Sequence, residues 1–357
     1  LSGEEHQTAA LVAGELRQLG WRVREGVGRT GVVAELGPDH GPTVGLRVDM
    51  DALPVEERTG LSYASTRQGL MHACGHDLHT CTGLGVARLL AQEPHLGARV
   101  RLLFQPAEEL AQGAVWMRDA GAVEGLDALY GVHVVPNLPV GTVGIRRGCL
   151  TAAAGELEIL VQGEGGHGAR PHQSVDAVWL AARVITELQQ TIARRLDALQ
   201  PVVISFGKVE GGRAFNVIAD QVRLLGTVRC LDLQQHAQLP AWIDETVQGI
   251  CASGGGTAVV NYRCIAPPVH NDPQLTTLLE RCAVECLGRD KVLPVEQPSL
   301  GAEDFAELLR DVPGMMVRLG VAGPEGCAPL HNGAFALEED ALGVGIAVLT
   351  ATVLAWI

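Results

Sequence analysis

Apolar positions in the first part of the chain follow two spacings. Short aliphatic or β-branched runs, TVGLRVDM at 43–50 and ARVRLLFQ at 98–105, read as strands. CTGLGVARLLAQ at 81–92 and GAVWMRDAG at 113–121 carry their apolar residues at helical spacing. This alternation predicts an α/β layered structure around a mostly parallel sheet, with its chemistry just beyond the carboxyl ends of the strands.

The middle has a different order. Strand GELEILVQG (155–163), a helix over 174–190, strands over 201–209 and 221–230, a helix at about 233–250 and a strand over 257–265 make a β-α-β-β-α-β series. That is the ferredoxin-like unit. The paired prolines of APPVH at 266–270 mark a hinge, after which helical and strand-like segments resume. The expected fold class is therefore α/β with two domains: a discontinuous domain of 1–152 plus 267–357, and a smaller α+β domain, 153–266, inserted in it.

Composition narrows the function. At 357 residues the chain has room for about two domains of ordinary size. Its 27 basic against 41 acidic residues, a formal charge of −14, argue against a nucleic-acid surface, and the RR pairs at 146–147 and 194–195 are too short to track phosphates. The apolar C-terminal run at 341–357 falls short of the roughly 20 residues that cross a bilayer, so a helix buried against a sheet is expected there and no membrane partner. The amphipathic, acidic start lacks the features of a secretion signal, while its missing Met leaves open that something upstream was removed. Nine cysteines without C-x-x-C spacing suit reduced thiols in a cytoplasmic protein.

One stretch concentrates candidate chemistry. MHACGHDLH at 71–79 holds His72, Cys74, His76, Asp77 and His79. The four-residue spacing of His72 and His76 suggests a helical zinc motif, but the glutamate of H-E-x-x-H is missing and Gly75 weakens a helix. Cys74 and His76, two apart, share a direction in an extended segment, and at a strand-to-helix corner a thiolate beside an imidazole suits a borderline-soft divalent ion. Asp77 is then a candidate to orient a ligand or cap the following helix. Cys74 as a nucleophile is a separate option that needs a histidine base and an oxyanion site.

Further along, FQPAEE ends a strand in two adjacent carboxylates, Glu108 and Glu109, which diverge in direction. One can bind a metal while its neighbour moves the proton of an activated water, although a lone EE pair is usually a solvated surface feature. His133 in an apolar stretch and His331 before an Asn-Gly turn are each, taken alone, ordinary core histidines. GEGGHG at 163–168 matches G-x-G-x-x-G, yet Pro171 intervenes before the helix and the acidic partner is misplaced, which argues against a nucleotide site.

Taken in order, LRVDMDALP (46–54), GLMHACGHDLHT (69–80), FQPAEE (104–109), GVHVVPNLPVG (131–141), GEGGHGARPH (163–172), FNVIAD (215–220), GTVR (226–229), GAEDF (301–305) and LHNGAF (330–335) resemble the M20 metallopeptidase family, across essentially the whole chain. They are most similar to its amidohydrolase subgroup of aminoacylases, hippurate hydrolases and auxin-conjugate hydrolases. The resemblance implies a metallo-exopeptidase-like catalytic domain holding two divalent metal ions, with an inserted ferredoxin-like lid, and a homodimer formed through that lid. Zinc or manganese are the expected ions, with cobalt or nickel as alternatives.

By the same matching, Cys74, His76, Glu109, His133 and His331 are the implied metal ligands, Cys74 bridging, and Glu108 is the general base. Asp49 becomes a support residue, and His72 and His79 fall outside the ligand set. From the lid, His167 stabilises the developing oxyanion and Asn216 and Arg229 contact substrate. The implied reaction is hydrolysis of the amide bond of an N-acyl amino acid. A dipeptidase or carboxypeptidase using the same site is the alternative enzyme, and a silent ligand-binding relative of the fold is the alternative of another class.

Overall fold

The computed structural model describes residues 1–197 and 199–357. From the N-terminus come α1 (His6–Gln18), β1 (Arg22–Val27), β2 (Gly31–Leu36), β3 (Thr43–Asp49), α2 (His76–Leu90), β4 (Arg99–Gln105), α3 (Gly113–Asp119), β5 (Ala128–Pro139), β6 (Val143–Ile145) and β7 (Gly148–Cys149). There follow β8 (Ala153–Gln162), β9 (Gly166–His167), α4 (Ala177–Arg195), β10 (Val202–Gly211), β11 (Val217–Ile218), β12 (Gln221–Cys230), α5 (Leu233–Ser253) and β13 (Thr257–Ala266). The chain closes with β14 (His270–Asn271), α6 (Pro273–Leu287), β15 (Val292–Pro294), α7 (Phe305–Leu308), β16 (Gly314–Ala322) and α8 (Ala341–Trp356).

These elements fall into two compact units. One comprises Leu1–Leu150, Val269–Gln297 and Glu303–Ile357, the other Thr151–Pro268 with Pro298–Ala302. The short Pro298–Ala302 piece joins the second unit although nothing in its sequence sets it apart from the stretch around it.

The first unit is built on an eight-stranded sheet in the order β1-β2-β4-β3-β5-β16-β6-β15. Its centre, β4-β3-β5-β16, is parallel. Central parallel strands are covered on both faces, which explains why every residue of β3 is buried. One covering layer draws on α1, α2, α6 and α8, the other on α3 and α7. The connections from β3 to β4 and from β4 to β5 thus run over opposite faces, which makes the carboxyl ends around β3 a topological switch point.

Register aligns the strands at that switch point. Asp49 lies opposite Gln105, Arg47 opposite Gly131, and His133 opposite Arg318. Counting on by two from Arg47 and Gly131 puts Asp49 level with His133, so Gln105, Asp49, His133 and Arg318 form one row across four strands on a single face. A sheet otherwise filled with aliphatic side chains ends there in polar ones.

Helix α8 is the apolar C-terminal run, and it packs against α2, α6 and β16. Gly85 permits the approach to α2, since a Cβ there would come within 2.2 Å of Ile346. Among the described residues, no helix is long and apolar enough to cross a membrane.

The second unit has an antiparallel sheet in the order β10-β12-β8-β13, with α4 and α5 packed on one face through Leu157, Ile159, Val184, Leu188, Ile243 and Val247. In chain order the strands run second, third, first, fourth, which is the ferredoxin-like arrangement.

Candidate metal centre

Cys74 and His76 converge through a turn, not through an extended segment. Gly75 has φ 76° and stands at the N-cap of α2, so the chain turns there and the helix opens directly with His76. That left-handed backbone favours glycine, and a Cβ would meet Val134 Cγ2 at 2.6 Å. The helix thus begins five positions before the apolar periodicity at 81–92 indicates, because its first turn is polar.

Asp77, expected from sequence to orient a ligand or cap α2, does neither. Its Oδ1 accepts the N–H of Leu78, and no side chain caps the helix. Asp51, two residues beyond the end of β3, takes the orienting role: its backbone oxygen and its Oδ1 each lie 3.1 Å from His76 Nδ1. His76 Nε2 is left buried without a hydrogen-bond partner.

Glu108 and Glu109 stand on a sharp elbow after β4. Ala107 has φ 48° and Ala111 φ 50°, with one turn of 3-10 helix, Glu108–Leu110, between them. The elbow is pinned from behind, as Ala107 N–H donates to Glu5 Oε1 at 2.9 Å and Glu109 N–H to Asp51 Oδ2 at 3.1 Å. Glu109 Oε1 then lies 3.2 Å from His331 Nε2 and 3.9 Å from His76 Nε2, while Glu108 Oε2 is 4.0 Å from His76 Nε2.

The other two histidines arrive from separate elements. His133 on β5 lies with Nδ1 2.7 Å from the Val134 carbonyl, which leaves Nε2 facing Cys74 Sγ at 3.7 Å. His331 sits at φ 63°, and its N–H donates to Ala73 O at 2.8 Å. Donor atoms of Cys74, His76 and His133 lie within 4.8 Å of one another, as do those of Cys74, Glu109 and His331 and those of His76, Glu108 and Glu109. Cys74 belongs to two of these groups.

Buried charges govern the site. Burial pushes the Cys74 thiol up to about 12 despite the nearby His76. Burial also works against a charged His76, but Asp49 and the hydrogen bond to Asp51 outweigh it and hold that imidazole well above its ordinary value. Burial, with the nearby charge of Arg318, holds His133 well below. Burial raises Glu108 well above the usual carboxylate range, reinforced by Glu303 and Asp304. A thiol, three imidazoles and a carboxylate around an orphaned buried nitrogen are donors that fit divalent cations.

Several supporting residues escaped sequence reasoning. Arg47, wholly buried, donates to Asp49, Gln105 and Asp304 and lies 3.2 Å from Glu303. The alternation of Asp49 and Asp51 at a strand end was a usable signal for Asp51. The sequence held none for Glu5, whose partners are distant along the chain.

In the second unit, His167 on β9 pairs with Val217 on β11, directly beside Asn216. Arg229 is elsewhere, opposite Ala154, whereas Gln221 at the other end of β12 lies opposite Gln162. Eight residues of strand separate those ends by about 27 Å at roughly 3.4 Å per residue. Arg229 is therefore not brought together with His167 and Asn216 within one chain.

A two-unit α/β chain with a Cys/His/Glu donor cluster at a sheet switch point is built as a metal-dependent hydrolase. The model of Peptidase family M20/M25/M40 matches residues 45–355, and the chain belongs to this family. It is 52% identical over 355 residues to the "Probable hydrolase sll0100" of Synechocystis sp., covering 98% of this chain and 90% of that one. It is 39% identical over 318 residues to the N-acetylcysteine deacetylase of Bacillus subtilis, covering 88% and 82%. Among solved structures, the YXEP protein of Bacillus subtilis, described as a dinuclear metal binding peptidase from M20 family, superposes with a TM-score of 0.86 at 34% identity, covering 99% of this chain and 92% of that one.

Proposed function

We propose that the protein hydrolyses the amide bond of N-acyl amino acids, releasing a carboxylic acid and an amino acid. The observation that carries this reading is the convergence of Cys74, His76, Glu109, His133 and His331 with Glu108 alongside. These five would hold two divalent ions, zinc or manganese by preference. When bound, the ions supply Lewis-acid polarisation of the scissile carbonyl and a more acidic attacking water.

Glu108 does the proton work. A carboxylate made unusually basic by burial and by Glu303 and Asp304 can take the proton of the attacking water and then deliver it to the departing amine nitrogen. His167 supports the developing oxyanion, and Asn216 and Arg229 hold the substrate. The inserted unit is the surface through which a homodimer would form. The nine cysteines, without C-x-x-C spacing, suit a cytoplasmic setting.

The test is hydrolysis of N-acetyl and N-benzoyl amino acids beside dipeptides, with metal content measured on the same sample. Activity on the acyl amino acids that chelator abolishes and that Glu108→Gln reduces by roughly a thousandfold or more, at unchanged metal content, supports the reading. Full turnover by Glu108→Gln, or activity in metal-free protein, sinks it.

A further inference from the structure

The polar row across the sheet contains one cation, Arg318, that has no side-chain hydrogen bond or ion pair among the described residues. Arg318 on β16 stands in register with His133, so both side chains project from the same face. The two most buried arginines of this unit are engaged by protein acceptors. Arg47 is held by Asp49, Gln105 and Asp304, and Arg101 by Glu35 and the carbonyls of Ala122 and Glu124. Arg318 is partly buried and, among the described residues, makes no side-chain hydrogen bond or ion pair.

Its surroundings are those of the metal centre. The guanidinium lies within reach of the acidic groups of Glu303 and Glu108, and its own charge acts on His133. It is partly buried, so part of its hydration is lost. A cation desolvated in this way, with its donors unused, gains most from an anion that enters with the substrate. The planar fork of a guanidinium matches a carboxylate by two parallel hydrogen bonds.

We propose that Arg318 is a substrate-binding residue of the first unit, taking a carboxylate of the substrate beside the metal centre. The inference rests on the amide-hydrolase reading of that centre. An N-acyl amino acid offers this group from its amino-acid half, and a dicarboxylic acyl group offers it from the other.

Binding to metal-loaded Glu108→Gln protein separates the two sources without turnover. Three ligands are compared by calorimetry, with and without Arg318→Met: an N-acetyl amino acid, the corresponding N-acetyl amino acid amide, and the N-succinyl amino acid amide. Arg318→Met is expected to weaken one carboxylate-bearing ligand roughly ten- to hundredfold more than the neutral amide. Loss on the N-acetyl amino acid assigns the α-carboxylate, and loss on the N-succinyl amide assigns the acyl side.

Arg318→Lys, which keeps the charge but not the fork, should recover part of the affinity. Equal losses on all three ligands, or no loss on any, overturn the proposal. If Glu108→Gln protein with Arg318 intact binds none of the three, the amide-hydrolase reading fails and the proposal falls with it. If that protein binds all three and Arg318→Met makes no distinction, only the proposal fails.

Discussion

Asp49 Oδ1 lies 2.6 Å from His79 Nδ1, and the other nitrogen of that imidazole accepts the Val134 N–H at 2.9 Å. Both nitrogens of His79 are thereby used, so this histidine joins β3, α2 and β5 and has none left for a metal. Asp49 is equally committed, because its Oδ2 receives Arg47 at 2.8 Å and faces His76 Nε2 at 3.9 Å. The pair acts on the metal centre by fixing where His76 and His133 stand.

Asp49→Asn should therefore weaken metal binding without removing a ligand. Losses of about 10- to 100-fold are usual when an orienting partner of a ligand is changed, and a competitive chelator titration measures it. There is also an acid-side signature. Burial pushes Asp49 up, but His76, His79 and Arg47 together hold it well below the usual carboxylate range. A depressed carboxyl stabilises the fold above its unfolded value of about 3.9, and that stability is lost as pH falls through the folded value. Urea unfolding of the metal-free variant should show less of this dependence below about pH 4, and unchanged metal affinity would refute the orienting role.

Arg47 is the counter-charge for three buried carboxylates, Asp49, Glu303 and Asp304. Arg47→Met leaves them uncompensated and should cost about 3–5 kcal/mol in urea unfolding, the range for breaking a buried pair from one side. Arg47→Lys should recover little, since one ammonium cannot reach Gln105, Asp49 and Asp304 in three directions. Near-parental stability of the lysine protein would show that charge alone suffices.

Local patterns made much of this architecture legible. Strands β3 and β4 follow their aliphatic runs, α8 follows the apolar C-terminus, and the ferredoxin-like order of the inserted unit follows its alternating segments. The HACGH and EE clusters were visible because their chemistry is concentrated in a few residues. Arg47 was opaque because its role depends on Asp304, 257 positions away. Asp77 is the candidate that proximity in sequence offers for orienting a ligand, whereas a left-handed Gly75 turns the chain so that Asp51 reaches His76 Nδ1. Side-chain partners across a sheet follow from register, which one strand's sequence does not contain.

Glu5 braces the elbow that carries Glu108 and Glu109. Its Oε1 accepts the N–H groups of Gly3 and Ala107, and its Oε2 accepts the Thr30 hydroxyl. Glu5→Ala leaves these donors without a partner and frees Ala107 from a left-handed conformation that an L-residue adopts at a cost. Stability should fall by about 1–3 kcal/mol, and kcat should fall more than KM rises as Glu108 loses its placement. Ala107→Gly in the same protein should restore part of kcat, because glycine holds that backbone without strain. A pure stability loss with unchanged kcat would confine Glu5 to the fold.

Metal loading should release protons in a countable way. In the metal-free protein the Cys74 thiol is pushed up to about 12, chiefly by burial, and is protonated at pH 8. Asp49 and the hydrogen bond to Asp51 overcome the opposing effect of burial and raise the His76 imidazole well above its ordinary value. Cations require thiolate and neutral imidazole, so binding displaces the Cys74 proton and whatever proton His76 holds. Protonated ligands compete with the metal, so affinity rises with pH, by about one decade per unit for each proton displaced. Calorimetry in buffers of different ionisation enthalpy should count the Cys74 proton at pH 8, and more at lower pH as His76 adds its own. Cys74→Ala should release one fewer and, by elemental analysis, hold less metal. A binding enthalpy independent of the buffer at pH 8 would mean that Cys74 gives up no proton to the cation, and would remove it from the ligand set.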